Sequence, residues 1–302
     1  MATKRWNLTE EISRAHLTQV FSGGACNILN ADGILLRNTE RDVINDWLTE
    51  KNIVFFDPQI HPDTHHVEYN YDIHHPLEFA ARDAAKVNLY EVSPRTFGGI
   101  SSLEIASDHF EHQEPMVIYY SDGYADKDEI PVHSKRGHPL FVPDNIYGSE
   151  QAMAAHYQEF VKNANHMRKY LLTFAQKMET LTVTFTNNPA RGDIVITPHR
   201  MHAVEMFKAI VQAASNERVF VAFTGGEDAR DAKGQPRFMV PKEPREMEMR
   251  TLLDQYVDEG NALRRAIAEL LEISVYVRVV YTQESVVLAL KEVLRITGYL
   301  KG

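Results

Sequence analysis

The densest chemistry in this chain lies in the run EVSPRTFGGISSLE, residues 91–104. An apolar strand ends there, a turn carrying Gly98 and Gly99 follows, and Ser101 and Ser102 open a helix. The first N–H groups of a helix have no partner within it, so they suit a phosphate or a sugar hydroxyl. Glu104 falls about one turn into that helix, near the strand end. A carboxylate so placed can attack the anomeric carbon of a ribosyl group and form a covalent ester, while a second acid assists the leaving group. The same carboxylate would also do no more than favour the positive end of the helix dipole.

Other reactive side chains crowd residues 57–76. His61, His65, His66, His74 and His75 share this stretch with Asp57 and Asp63. Their spacing matches no ligand pattern for a metal, and adjacent His pairs point apart, so no metal is expected. A polar pocket wall or plain loop structure accounts for them. Tyr69 and Tyr71 could stack on a base or orient Glu104, or pack with their hydroxyls at the surface. Cys26 has no local His to activate it and reads as a small packing residue. The loop GGEDARD at residues 225–231 lacks the spacing of a phosphate-gripping loop. The charged residues along 241–250 and 258–265 read as solvated helix faces with ion pairs at helical spacing.

The elements that must carry these groups alternate. Strands are expected at 16–22, 53–56, 87–92 and 116–120, with helices at 39–51, 77–85 and 100–112. Residues 59–76 read as a long ordered loop. This order predicts an α/β fold, a Rossmann-like parallel sheet with helices on both faces. Ligands bind such sheets at the carboxyl ends of the strands, which singles out loops 23–30, 57–75 and 93–102. Residues 123–148 read as an irregular lid or linker. A second α/β unit then follows, with helices at 149–179, 202–215, 245–271 and 284–297 and strands at 181–186, 193–197, 219–224 and 274–281. The expected division is therefore 1–148, a catalytic domain, and 149–302, an α/β domain.

Bulk properties narrow the function. The 302 residues carry a formal net charge of -10, which argues against duplex nucleic acid as a partner. One cysteine rules out an internal disulfide and fits a reducing cytoplasm. Neither a signal peptide nor a membrane span is apparent.

Several segments, in order, resemble the nucleoside deoxyribosyltransferase family and its relatives, the nucleotide N-glycosidases. Residues 20–25, VFSGGA, form a strand ending in a glycine loop. Trp47 lies on a helix that precedes the strand and turn Phe55-Phe56-Asp57-Pro58. Gly98 and Gly99 precede Glu104, and Pro115 precedes the next strand. The resemblance covers about residues 16–122. It implies a Rossmann-like sheet, cleavage or transfer at the N-glycosidic bond of a nucleoside or nucleotide, and Glu104 as nucleophile. It implies Glu78 as the acid near the base, with Asp83 as competitor for that role. It assigns substrate contacts to Ser22, Gly23, Gly24, Asp57, Tyr69, Gly98 and Gly99, to which the chemistry of the residues themselves adds Arg95, Ser101 and Ser102. No cofactor is implied. A homo-oligomer is, because the family builds its pockets with a neighbouring subunit. Two features depart from the family: the turn before Glu104 has no Asp, and Ser101-Ser102-Leu103 replaces the usual Gly-Thr or Gly-Met. Arg95 with two serines instead suits an anionic substrate. The alternatives are a phosphoribohydrolase of the cytokinin-releasing type and a nucleotide-binding sensor without turnover.

Overall fold

The structure is a computed structural model in which residues 7–60, 67, 69–111, 115–121, 140–143, 145–241, 243–272 and 277–300 are described. Its first sheet is parallel and contains β1 (Val20–Gly24), β4 (Phe55–Phe56), β5 (Val87–Val92), β6 (Met116–Tyr120) and β10 (Val277–Val280), in the order β10-β6-β5-β1-β4. β5 and β6 are buried along their whole length, as central parallel strands covered on both faces must be. Their side chains alternate between two layers. Val87, Leu89, Val117 and Tyr119 meet helices α2 (Asp42–Glu50) and α8 (Gln283–Ile296). Tyr90, Val92, Ile118 and Tyr120 face the larger core on the other side, which includes helices α3 (Tyr71–Ala84) and α4 (Gly99–Glu111).

The chain therefore has the α/β fold read from its sequence. Taken in chain order, the five strands lie 2-1-3-4-5, so the direction of winding reverses between β1 and β5. That reversal opens a crevice at the carboxyl ends of those two strands, the usual ligand position in open α/β sheets.

Between β6 and β10 the chain forms a second parallel sheet, ordered β7-β9-β8, from β7 (Leu181–Phe185), β8 (Ile194–Ile196) and β9 (Val219–Phe223). Helices α5 (Glu150–Lys177), α6 (Ala203–Ala214) and α7 (Glu246–Glu272) accompany it. The boundary expected at 148/149 does not hold for the whole of the second half. β10 pairs with β6, Val277 beside Met116, and α8 covers the first sheet. The second unit is an insertion into the first, and one core runs through both, from Tyr90 and Leu103 to Phe207 and Leu263.

The sequence missed three small elements. α1 (Leu8–His16) takes the first residue of the strand expected at 16–22, which begins only at Val20, and is capped by the Asn7 side chain, which accepts from the Thr9 N–H at 3.0 Å. β2 (Asn27–Leu29) and β3 (Leu35–Arg37) form an antiparallel hairpin after the glycine loop. The expected loop at 59–76 is partly helical. α3 starts at Tyr71, where the Asn70 side chain accepts from the Asp72 N–H at 3.0 Å, so His74 and His75 lie on a helix. Most of residues 123–148 fall outside the described residues.

Leu290 on α8 is fully buried against the first sheet. Leu290→Ala should cost about 2–5 kcal/mol. In urea it should shift a single transition, with fluorescence and far-UV dichroism moving together, because this helix belongs to the same packed unit as β1 and β5.

Candidate functional site

A cavity of about 500 Å³ lies at the β1/β5 crevice. Three of its sides come from the first sheet: the turn after β1, the turn after β5 with the start of α4, and the first half of α3. The fourth side comes from the insertion. His156, Glu159, Asn163, His166 and Tyr170 recur every three or four residues along α5 and so share one face. Phe97, Phe141 and Tyr256 close the end with an aromatic cluster, Phe97 stacking on Tyr256 at 4.8 Å between centroids.

Glu104 and Glu78 both face this cavity, and both are buried. Burial pushes the Glu104 carboxyl up to about 8, with Glu78 and Asp108 adding repulsion and Arg82 opposing. The Arg82 Nη1 lies 3.7 Å from Glu104 Oε1. Burial likewise pushes Glu78 up to about 7. Two phenols restrain that rise by donating to its Oε2, Tyr170 at 3.0 Å and Tyr69 at 3.3 Å. Near neutrality the pair thus has one group able to give a proton and one able to carry charge.

The turns that present these carboxylates are fixed by residues the sequence reading passed over. Arg264, on α7, is buried and donates to the backbone carbonyls of Ser93, Thr96 and Phe97, which shapes the turn before α4. Its neighbour Glu259 is also buried and accepts from the Ala203 N–H at 3.1 Å. Only part of 258–265 is therefore a solvated face. The ion pairs Arg245–Glu248 and Arg250–Glu246 do lie at the surface, as expected. Arg41 is buried and donates to the carbonyls of Ser22 and Ala25 while pairing with Asp57 at 3.2 Å. Gln59 Nε2 donates to the carbonyls of Cys26 and Asn38, tying the β1 turn down from the opposite side. No local pattern marks an Arg within a charged helical run as buried, so Arg41, Arg82 and Arg264 could not be found that way.

Of the residues expected to touch substrate, Gly24, Tyr69, Arg95, Gly98, Gly99 and Ser101 line the cavity. Ser22, Gly23, Asp57 and Ser102 do not, and each has a structural task. Ser22 Oγ donates to Asn45 Oδ1 at 3.1 Å. A Cβ on Gly23 would stand 2.7 Å from the rings of Phe21 and Tyr90. Asp57 accepts from Asn45 Nδ2 at 2.7 Å besides its pairing with Arg41. Ser102 Oγ donates to the Gly98 carbonyl at 2.7 Å. Gly24 has φ +134°, and a Cβ there would stand 2.7 Å from the Glu91 carbonyl oxygen, so only glycine lets β1 end against β5. Gly98, at φ +65°, makes the turn into α4.

The remaining candidates separate clearly. Asp83 is exposed and lies 3.6 Å from Lys177, away from the cavity. His75 stacks on Tyr71 at 4.3 Å, and burial lowers it to about 3, so it is a neutral packing group. His74 Nδ1 accepts the Asn70 N–H at 2.7 Å. His61, Asp63, His65 and His66 lie outside the described residues. Cys26 lines the cavity, but burial pushes its thiol up to about 12, so it stays protonated and unreactive. Among the described residues no group of three His, Cys, Asp or Glu is placed to hold a metal ion, and no helix is long and apolar enough to cross a membrane. No protein-family model, curated protein or solved structure matches the chain.

The two raised carboxyls make stability depend on pH with a defined sign. The folded chain binds their protons more tightly than the unfolded chain does. Their contribution is complete below the ordinary value of 4.5 and is lost as pH rises through about 7 and about 8. Glu104→Gln should therefore lose less thermal stability than the parent between pH 6 and pH 9. Differential scanning calorimetry at both pH values checks this; parallel losses in the two proteins would contradict it.

Proposed function

We propose that this protein cleaves or transfers the N-glycosidic bond of a nucleoside or nucleotide, with Glu104 as nucleophile and Glu78 as the acid. The observation that carries this reading is a pair of buried carboxyls, one from α3 and one from α4, facing a single cavity at the sheet's switch point. Retaining glycosyl chemistry uses two carboxyls, one as nucleophile and one as acid. Glu78 gives its proton to the departing nitrogen of the base as the C–N bond breaks. A Glu104 oxygen bonds to the anomeric carbon, forming an ester. Water or a second base then attacks that carbon, Glu78 takes back a proton, and the ester bond returns its electrons to Glu104.

Burial holds the proton more tightly on Glu104 than on Glu78, so the reactive arrangement is the minor one. An oxocarbenium-like centre beside Glu104 brings positive charge to it and reverses the preference. Arg95 and Lys162 both line the cavity, and a phosphorylated substrate would use them together with the N–H groups at the start of α4.

Four outcomes are expected. Glu104→Gln should abolish release of free base from a panel of nucleosides and nucleoside monophosphates followed by chromatography, with far-UV dichroism unchanged. The kcat/KM profile should be bell-shaped, with limbs near 7 and 8. Glu78→Gln should lower the rate by about 10²–10⁴ and remove the alkaline limb, because that limb reports loss of the acid's proton. A Glu78→Gln protein that instead loses the acid limb would exchange the two roles. Finally, a monophosphate should bind about tenfold to a hundredfold more tightly than its nucleoside, and Arg95→Ala should erase most of that difference in calorimetry. Equal affinities in the parent protein would return the uncharged nucleoside to first place.

A further inference from the structure

Next to Glu104, and not among the residues that line the cavity, lies a polar cluster that the proposed chemistry does not itself use. Arg82 is buried at 3% exposure. It is gripped by Asp108 through Nε at 3.4 Å and through Nη2. Asp108 in turn accepts from the Tyr90 hydroxyl at 2.5 Å. The Arg82 Nη2 also reaches the Glu104 carbonyl at 3.5 Å. Nη1 is different: it is buried and makes no hydrogen bond, yet it points toward Glu104 Oε1 from 3.7 Å. A buried guanidinium N–H left without an acceptor is costly. Here the nearest acceptor is the proposed nucleophile, about 1 Å beyond the distance of a charge-assisted bond.

We propose that Arg82 is the counter-ion of ionised Glu104, a positioning residue fixed from behind by Asp108 and Tyr90. This rests on the reading of Glu104 as the reacting carboxylate. The groups that face Glu104 are Glu78 and Arg82 from α3, Tyr90 from β5, Asp108 from its own helix, Tyr170 from α5, and Arg41 and Cys26 around the β1 turn. Two of them are cations. Arg41 is committed to Asp57 and to two backbone carbonyls. Arg82 alone has an N–H directed at the carboxylate without a hydrogen bond. Asp108 therefore has a double effect. It holds the guanidinium in place, and it cancels part of the charge that Glu104 would otherwise feel. Burial keeps Glu104 protonated, and a small closing movement of Arg82 supports the charge when the carboxylate forms.

The direction of each effect can be read without substrate. In the full chain with ¹³C-labelled glutamate carboxyls, the Glu104 signal is identified by its absence in Glu104→Gln, and its titration midpoint is followed by NMR. Asp108→Asn keeps shape and removes the cancelling charge, so the midpoint should fall by about one pH unit or more, a tenfold change in proton affinity. Arg82→Gln should raise it, and should lower kcat while leaving KM near the parent value. A residue with only a packing role would not move the midpoint in opposite directions in the two variants. Shifts in the same direction, or none in Asp108→Asn, overturn the proposal. Should Arg82→Gln not fold, Arg82→Lys must fold and keep the midpoint within about half a unit of the parent; a larger rise overturns it too. Opposite shifts without any base release would overturn the proposed reaction and leave the counter-ion standing, whereas base release without the shifts does the reverse.

Discussion

Two carboxyl groups taken out of water at one sheet crevice cannot both stay charged. That constraint organises much of what surrounds the cavity. Removing a carboxylate from water costs several kcal/mol unless donors or cations replace the lost hydration. The chain offers Glu78 two phenol hydroxyls and offers Glu104 a distant, partly neutralised guanidinium. Neither supply is complete, so each group keeps its proton to a higher pH than an exposed glutamate does. The site is costly to stability at alkaline pH, and the same incomplete supply underlies the reactivity proposed for it.

The partners come from widely separated segments. Glu78, Arg82, Glu104 and Asp108 belong to two helices of the first sheet, whereas Tyr170 comes from α5 and Arg264 from α7, both within the insertion. The insertion thus supplies one wall of the cavity, one of the two phenols on Glu78, and the guanidinium that fixes the turn before Glu104. A first sheet without it would have the carboxylates but not their setting.

The regular elements were legible because hydrophobic runs record burial directly. Strands 87–92 and 116–120 have the bounds expected of them, since continuous apolar runs closed by turns leave little ambiguity. Glu104 and Glu78 were legible as candidates, and they share one cavity. What escaped was set by tertiary contact. Ser22, Asp57 and Ser102 carry the right chemistry for a ligand, but backbone and side-chain partners inside the fold take it up. Arg264 read as part of a solvated helix face, and nothing local singled out Arg41 or Arg82, yet the fold buries all three. The pairing of β10 with β6 could not be read from local pattern either, because a strand's partner is chosen by topology and not by its own sequence.

That last pairing bears on how the chain reaches its folded state. β6 must wait for β10 while the whole insertion is made, so its outer edge presents unpaired N–H and C=O groups during synthesis. Closing so long a connection is entropically slow as an open loop, and much cheaper once the insertion has compacted and drawn its two ends together. An insertion that compacts before β10 is reached would act as a folding clamp, shortening the interval in which the edge of β6 can pair with another chain.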